Sequence, residues 1–236
     1  MHNLATILKN AIVLTMNQDK EIFDPGAIAI NEGKIVAVGA ESDILLRYQA
    51  AEVIDCGRKV LMPGLINTHT HIPMTLLRGL ADDLRLDVWL MGYMMPVERE
   101  CVSPEFVRLG TKLGCAEFIR SGVTTFNDMY YFEEEIAKAT AEIGMRALCA
   151  QSVMKFPTPD AQFFEQSIEM SRDYIKRWKG HELIIPSVAP HAPYTCPPEI
   201  MKAATALALE FDVPLHTHIS ETAIEVSSVN HFYGKG

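Results

Sequence analysis

The sequence has 236 residues, 48% of them hydrophobic and 22% charged, with a formal net charge of -9, which is typical of a globular protein. The negative charge, without any cluster of lysine and arginine, argues against a nucleic-acid partner, and no apolar run is long enough to suggest a membrane partner. Five cysteines without a Cys-x-x-Cys pair, and no visible secretory signal, predict reduced thiols and a cytoplasmic location.

Short β-prone runs dominate the amino-terminal part of the chain, at 5–8, 11–14, 26–30, 34–38 and 51–55. The segment Asn31-Glu32-Gly33-Lys34 between two of these runs predicts a hairpin turn, because Gly33 can adopt a positive φ. The sequence therefore predicts a small antiparallel β unit over residues 1–61.

Strands and helices alternate in the rest of the chain, residues 62–236. The predicted strands cover 60–66, 123–128, 146–153, 183–189 and 213–219, and the predicted helices cover 104–121, 133–143, 160–178 and 197–211. This alternation predicts an α/β fold with parallel strands. A complete (β/α)8 TIM-type barrel has eight strand–helix units in about 250 residues, whereas this part of the chain has about five such units. No helix is predicted after 211, and both a partial barrel and an open doubly wound sheet fit the pattern.

A histidine pair ends the first strand of this part. Residues 63–71 read Pro-Gly-Leu-Ile-Asn-Thr-His-Thr-His. Because residues i and i+2 of a strand point to the same side, His69 and His71 can offer two imidazoles to one metal ion. The carboxyl ends of the strands are where barrel enzymes place their sites. The alternative is a pair of polar histidines without a ligand role.

Two further motifs follow later strands. Residues 214–221 read Pro-Leu-His-Thr-His-Ile-Ser-Glu, so that His218 is followed three residues later by Glu221. This spacing suits a metal ligand beside a proton shuttle, since a bound metal lowers the pKa of water to about 7. Residues 189–194 read Ala-Pro-His-Ala-Pro-Tyr, in which flanking prolines restrain the backbone of His191. His191 could instead be a histidine of a structural turn.

In this order the three motifs resemble the amidohydrolase superfamily, and within it the 5-methylthioadenosine/S-adenosylhomocysteine deaminases, alongside the s-triazine hydrolases. The resemblance covers essentially the whole chain and implies the first half of a barrel enzyme, whose remaining histidine and metal-binding aspartate lie beyond Gly236. It implies one divalent metal ion, zinc by preference or iron, held by His69, His71 and His218. It also implies that Glu221 is the glutamate that shuttles protons.

The resemblance further implies contacts with a nucleoside. His191 matches a histidine that contacts the substrate, Glu98 matches a glutamate that binds ribose hydroxyls, and Trp89 would line the nucleoside pocket. A carboxylate can accept hydrogen bonds from both hydroxyls of a cis-diol, which a triazine lacks, so Glu98 favours a nucleoside. The alternatives are a solvated Glu98 and a core aromatic at Trp89. Gln151 stands where an arginine for the homocysteine carboxylate is expected, which favours the methylthio substrate.

The sequence thus predicts a hydrolytic deaminase that releases ammonia from adenine nucleosides such as 5'-methylthioadenosine or S-adenosylhomocysteine. Three alternatives stay open: a hydrolase of s-triazines or other aminated heterocycles, an incomplete chain without activity, and an open-sheet protein whose histidines are structural. A homo-oligomer is also compatible with the sequence.

Overall fold

The computed structural model describes residues 2–234, apart from the side chains at positions 2, 3, 232 and 233. The chain divides into two compact units, Met1–Gly64 and Leu65–Gly236. No helix within residues 2–234 is both long and apolar enough to cross a membrane.

The first unit is one sheet with one short helix. Its elements are strands β1 (His2–Leu14), β2 (Ile22–Asn31), β3 (Lys34–Ala40), β4 (Tyr48–Asp55) and β5 (Val60–Leu61), and helix α1 (Glu41–Arg47). The strand order is β3-β2-β1-β4, with β5 also paired to β1. The predicted hairpin turn between β2 and β3 is confirmed, with φ of 49° at Glu32 and 72° at Gly33.

The sheet of the first unit is mixed, so the prediction of a wholly antiparallel unit is wrong. Strands β1, β2 and β3 pair antiparallel, whereas β4 and β5 both pair parallel to β1. Parallel pairing needs a crossover connection, and α1, which the sequence did not predict, lies between β3 and β4. The two runs predicted at 5–8 and 11–14 form one strand with an irregular register between Leu8 and Ala11.

The second unit is built on parallel strands followed by helices. Its elements are β6 (Leu65–Thr70), a 3-10 helix (Ile72–Leu77), a π-helix (Val88–Met94), α2 (Met95–Cys101), α3 (Pro104–Ser121), β7 (Val123–Tyr130), α4 (Glu133–Ile143), β8 (Arg146–Val153), α5 (Phe164–Trp178), β9 (Ile184–Pro186), β10 (Ala189–Pro190), α6 (Pro198–Phe211) and α7 (Ala223–Tyr233). Strands β6, β7 and β8 are consecutive neighbours, and β9 and β10 both pair with β8. All of these pairings are parallel. A doubly wound sheet would require the strand order to reverse at one point. Within the described residues the strand order does not reverse, so the predicted partial barrel is confirmed.

Three boundaries in this unit differ from prediction. The strand predicted at 60–66 is split by Pro63 and Gly64 into β5, which belongs to the first unit, and β6, the first barrel strand. The strand predicted at 213–219 is reduced, within the described residues, to a bridge between Leu215 and Val188. Helix α7 was not predicted, although Thr222 caps its start by accepting a hydrogen bond from the Glu225 N–H.

The core of the second unit lies between the sheet and its helices. Its largest fully buried side chains include Phe126 of β7, Ile136 of α4 and Ile175 of α5. Helix α3 approaches the 3-10 helix closely through two glycines. A Cβ atom at Gly110 would lie 2.5 Å from the Pro73 carbonyl oxygen, and one at Gly114 would lie 2.4 Å from Ile72 Cγ1. These glycines therefore set the position of the segment that directly follows His71.

Candidate metal centre and substrate cavity

Three imidazoles converge at the carboxyl ends of the strands. His69 lies near the end of β6, His71 directly follows that strand, and His218 lies on the segment that follows α6. One ring nitrogen from each histidine lies within 4.8 Å of the other two. The ring centroids are 5.0 to 5.3 Å apart. The structure therefore brings together the three residues that the sequence predicted as metal ligands.

Hydrogen bonds orient two of these rings. The His71 Nδ1 lies 2.6 Å from the Met129 carbonyl oxygen, and the His218 Nδ1 lies 2.8 Å from the His191 carbonyl oxygen. A carbonyl oxygen only accepts, so each Nδ1 donates and each Nε2 carries a lone pair, that of His218 lying 3.2 Å from His69 Nε2. Burial lowers the pKa of His71 to about 4, against the opposing effect of its bond to Met129. A neutral imidazole nitrogen is a donor that zinc binds, and one ring nitrogen of each histidine lies close enough to the other two to hold one divalent ion.

Asp128 of β7 holds the backbone on both sides of His71. Its Oδ1 accepts hydrogen bonds from the Thr70 hydroxyl at 2.5 Å and from the Ile72 N–H at 2.6 Å. The side chain is fully buried, and burial raises the pKa of Asp128 above its ordinary value. The sequence shows only that Asp128 ends a predicted strand. Its hydrogen-bond partners, Thr70 and Ile72, become visible only in the fold.

His191 and Glu221 lie beside the three histidines. The His191 ring centroid is 5.0 Å from that of His218, and its Nδ1 is 2.8 Å from Thr195 Oγ1. Burial lowers the pKa of His191 to about 3, so this ring is neutral. The carboxylate of Glu221 is exposed and accepts a hydrogen bond from the Tyr194 hydroxyl at 2.9 Å. Tyr194 closes the motif around His191, but the sequence analysis gave it no role.

Glu98 is buried, so the alternative interpretation of Glu98 as a solvated side chain is wrong. It is only 4% exposed, and its two oxygens accept hydrogen bonds from the hydroxyls of Tyr130 at 2.8 Å and Tyr131 at 3.4 Å. Burial raises the pKa of Glu98 to about 7, although the two tyrosine donors favour the charged form. Trp89, on the π-helix, is half-buried and lines the same cavity as Glu98.

One cavity joins most of the predicted site residues. Its walls include His71, Trp89, Glu98, His191, His218 and Glu221. His69 lines an adjoining cavity, together with His71, His218 and Glu221. Gln151 lines neither of them, because its side-chain amide donates to Asp160 at 2.9 Å and lies in a different pocket. The arrangement places three convergent histidines, an exposed carboxylate and a buried carboxylate around one space.

Similar proteins were found by sequence and by structure. The chain is 44% identical to a 5-methylthioadenosine/S-adenosylhomocysteine deaminase of Thermodesulfovibrio yellowstonii over 222 residues, which are 93% of this chain and 51% of that protein. It matches an adenosine deaminase from Xanthomonas campestris with bound zinc at a TM-score of 0.94 and 37% identity, covering 99% of this chain and 53% of that one. An atrazine chlorohydrolase from Arthrobacter aurescens, only 23% identical, shares the fold at a TM-score of 0.84. That match covers 97% of this chain and 56% of the chlorohydrolase.

The chain spans about half the length of the curated relatives it matches. The profile of the Amidohydrolase family matches residues 60–236, which include all three convergent histidines and Glu221. By that match over most of its length, the chain belongs to the amidohydrolase family.

Proposed function

We propose that this protein is a metal-dependent hydrolase that deaminates adenine nucleosides such as 5'-methylthioadenosine. The observation that carries the proposal is the convergence of three imidazole nitrogens within 4.8 Å of one another, in a space that Glu221 also lines. The relative from Thermodesulfovibrio yellowstonii is named a deaminase of such nucleosides, and the Xanthomonas campestris protein is named an adenosine deaminase. The overall change is the replacement of an amino group by oxygen from water, with release of ammonia.

His69, His71 and His218 would hold one divalent ion. Three imidazoles with an open position suit zinc, and iron accepts similar ligands. Zinc is present in the Xanthomonas campestris and Arthrobacter aurescens structures. When bound, the ion supplies Lewis-acid activation of a water molecule.

Glu221 is the group that moves the proton. Its carboxylate is exposed in the cavity, so it can accept a proton from water and deliver it to a nitrogen of the adenine ring. Protonation of the ring during attack by water helps ammonia to leave. The neutral ring of His191, next to His218, forms the wall against which the base would lie.

Glu98 and Trp89 would bind the sugar side of the nucleoside. Each oxygen of Glu98 accepts one tyrosine hydroxyl and keeps a further lone pair. The ionised carboxylate can therefore accept from both hydroxyls of a ribose. Gln151 is bonded to Asp160 and faces away from this cavity, so it offers nothing to a homocysteine carboxylate. This favours 5'-methylthioadenosine over S-adenosylhomocysteine.

The test is ammonia release by the zinc-loaded, full-length gene product from 5'-methylthioadenosine, S-adenosylhomocysteine and a chlorotriazine. We expect turnover of the nucleosides, with the methylthio compound preferred. The matched variant Glu221→Gln keeps the volume of the side chain, and we expect it to lower kcat about 10²- to 10⁴-fold without loss of zinc. Turnover of the triazine alone would contradict the nucleoside assignment, and an unchanged kcat in Glu221→Gln would contradict the role of Glu221.

A further inference from the structure

The backbone that presents Glu221 is held by a single buried carboxylate. The side chain of Glu225 is only 4% exposed. One of its oxygens accepts from the Ser220 N–H at 2.9 Å, and the other accepts from the Glu221 N–H at 3.0 Å. Both oxygens of Glu225 are thus bonded to consecutive amides, one of which belongs to Glu221 itself.

The local sequence explains this arrangement. Thr222 caps helix α7 and accepts from the Glu225 N–H at 3.1 Å. In an ordinary capping box, the glutamate at this position bonds back to the N–H of the capping residue. Here it reaches further and bonds the two residues that precede the cap. Ser220 has a φ of 56°, a left-handed conformation that costs energy for a residue other than glycine, and two charge-assisted hydrogen bonds oppose that cost.

The carboxylate of Glu221 has its own support. The Tyr194 hydroxyl donates to Glu221 Oε2 at 2.9 Å. An exposed glutamate side chain otherwise samples several staggered rotamers. The backbone and the carboxylate of Glu221 are therefore restrained by two different side chains, Glu225 and Tyr194.

We propose that Glu225 and Tyr194 are positioning residues for Glu221. Glu225 fixes the backbone of Glu221, and Tyr194 selects the rotamer that directs its carboxylate toward the three histidines. Proton transfer requires hydrogen-bond reach, and a displacement of about 1 Å can cost about 10²-fold in rate. This inference rests on the proposed function, in which Glu221 transfers the proton.

The kinetic test compares three variants of the zinc-loaded, full-length gene product with 5'-methylthioadenosine. We expect Glu225→Ala to lower kcat about 10²-fold and Tyr194→Phe to lower it about tenfold. In both variants KM should stay within about twofold and zinc content should not change, because neither residue binds substrate or metal. The matched control is Thr222→Ala, which removes the cap of the same helix but leaves both acceptor oxygens of Glu225, and its kcat should remain near that of the wild type.

A second variant and a second measurement keep the test decisive. Glu225→Gln retains one accepting oxygen and should give a kcat between those of the wild type and Glu225→Ala, which guards against a variant that fails to fold. Hydrogen exchange at the Ser220 and Glu221 amides should be at least about tenfold faster in Glu225→Ala than in Thr222→Ala. This exchange result does not depend on the substrate.

The outcomes separate the two proposals. A wild-type protein that holds zinc but turns over no nucleoside would overturn the proposed function, while the exchange rates would still decide whether Glu225 restrains the loop. Equal losses of kcat in Glu225→Ala and Thr222→Ala would overturn the positioning role. A rise in KM with an unchanged kcat in Glu225→Ala or Tyr194→Phe would also overturn the positioning role.

Discussion

The two sides of the cluster formed by His69, His71 and His218 are held in different ways. On one side, His69 lies in β6, which pairs with β7, and His71 directly follows that strand. Asp128 accepts hydrogen bonds from the residues before and after His71. On the other side, His218 and Glu221 lie on a segment with a single β-bridge among the described residues. Individual bonds, such as the one between His218 Nδ1 and the His191 carbonyl, hold that second side.

This difference separates stability from catalysis. The strand side is part of the packed sheet, so a change there should lower the free energy of unfolding and, through it, metal affinity. The loop side contributes little to the core, so a change there should leave stability nearly unaltered and lower kcat. The predictions below test that separation, from the largest expected effect to the smallest.

Asp128 provides the strongest test of the strand side. Asp128→Ala leaves the buried Ile72 N–H without its acceptor and leaves the Thr70 hydroxyl only the Asn127 carbonyl oxygen at 2.9 Å, and we expect a loss of about 3 kcal/mol in the free energy of unfolding. Asp128→Asn keeps an accepting oxygen and is the matched control. Urea unfolding gives the energies, and competition with a chelator gives zinc affinity. A variant Asp128→Ala as stable as Asp128→Asn would contradict this account of the strand side.

Gly110 tests the same side through packing. A Cβ at this position would lie 2.5 Å from the Pro73 carbonyl oxygen, so Gly110→Ala should cost about 1–3 kcal/mol of unfolding free energy and weaken zinc binding. Gly92→Ala is the control, because a Cβ there meets no atom within 4 Å. Thermal unfolding of the two variants checks the difference. Equal melting temperatures would show that α3 does not set the position of the segment after His71.

Glu98 lies on neither side and gives a prediction for pH. Because burial raises the pKa of Glu98 to about 7 and the ribose binding proposed for Glu98 requires the ionised carboxylate, KM should rise about tenfold per pH unit below that value. Glu98→Gln should remove this dependence of KM on pH. A wild-type KM that stays constant between about pH 5 and 8 would contradict the role of Glu98.

The same group affects stability with a defined sign. The pKa of Glu98 is higher in the folded state than its ordinary value of 4.5, so the folded state binds its proton more tightly. Its favourable contribution is complete below pH 4.5 and is lost as the pH rises through about 7. The wild type should therefore lose stability relative to Glu98→Gln over that range, which urea unfolding at several pH values measures.

Thr195 should give the smallest effect. Thr195→Val removes the oxygen that lies 2.8 Å from His191 Nδ1 and keeps the shape of the side chain. Loss of one such bond is worth about 1 kcal/mol, so KM should rise about fivefold. A drop in stability larger than that of Gly110→Ala would break the separation between the two sides.

The site was easier to predict than its supports. The convergence of His69, His71 and His218 could be predicted because their spacing and order are visible in the sequence and parallel strands bring their carboxyl ends to one edge. The burial of Glu98 could not be predicted, because it depends on Tyr130 and Tyr131, which are more than 30 residues away. Glu225 was missed because its bonds run backward to Ser220 and Glu221, beyond the usual capping pattern.

The fold shows the same limit. The alternation of strands and helices predicted the partial barrel, and helices α3 and α4 begin and end where the sequence placed them, at 104–121 and 133–143. The direction of β4 could not be predicted, because it depends on α1, a short helix with a weak sequence signal. The segment predicted as a strand near 213–219 has the composition of a strand. Whether it pairs depends on the neighbouring strands, and within the described residues it forms only one bridge, between Leu215 and Val188.

The most direct test of the metal centre is an anomalous difference map at the zinc edge from crystals of the zinc-loaded, full-length gene product. We expect one peak between the imidazoles of His69, His71 and His218, bonded to a nitrogen of each. A zinc ion bound elsewhere, or a peak that leaves one of these three histidines unbonded, would contradict the account.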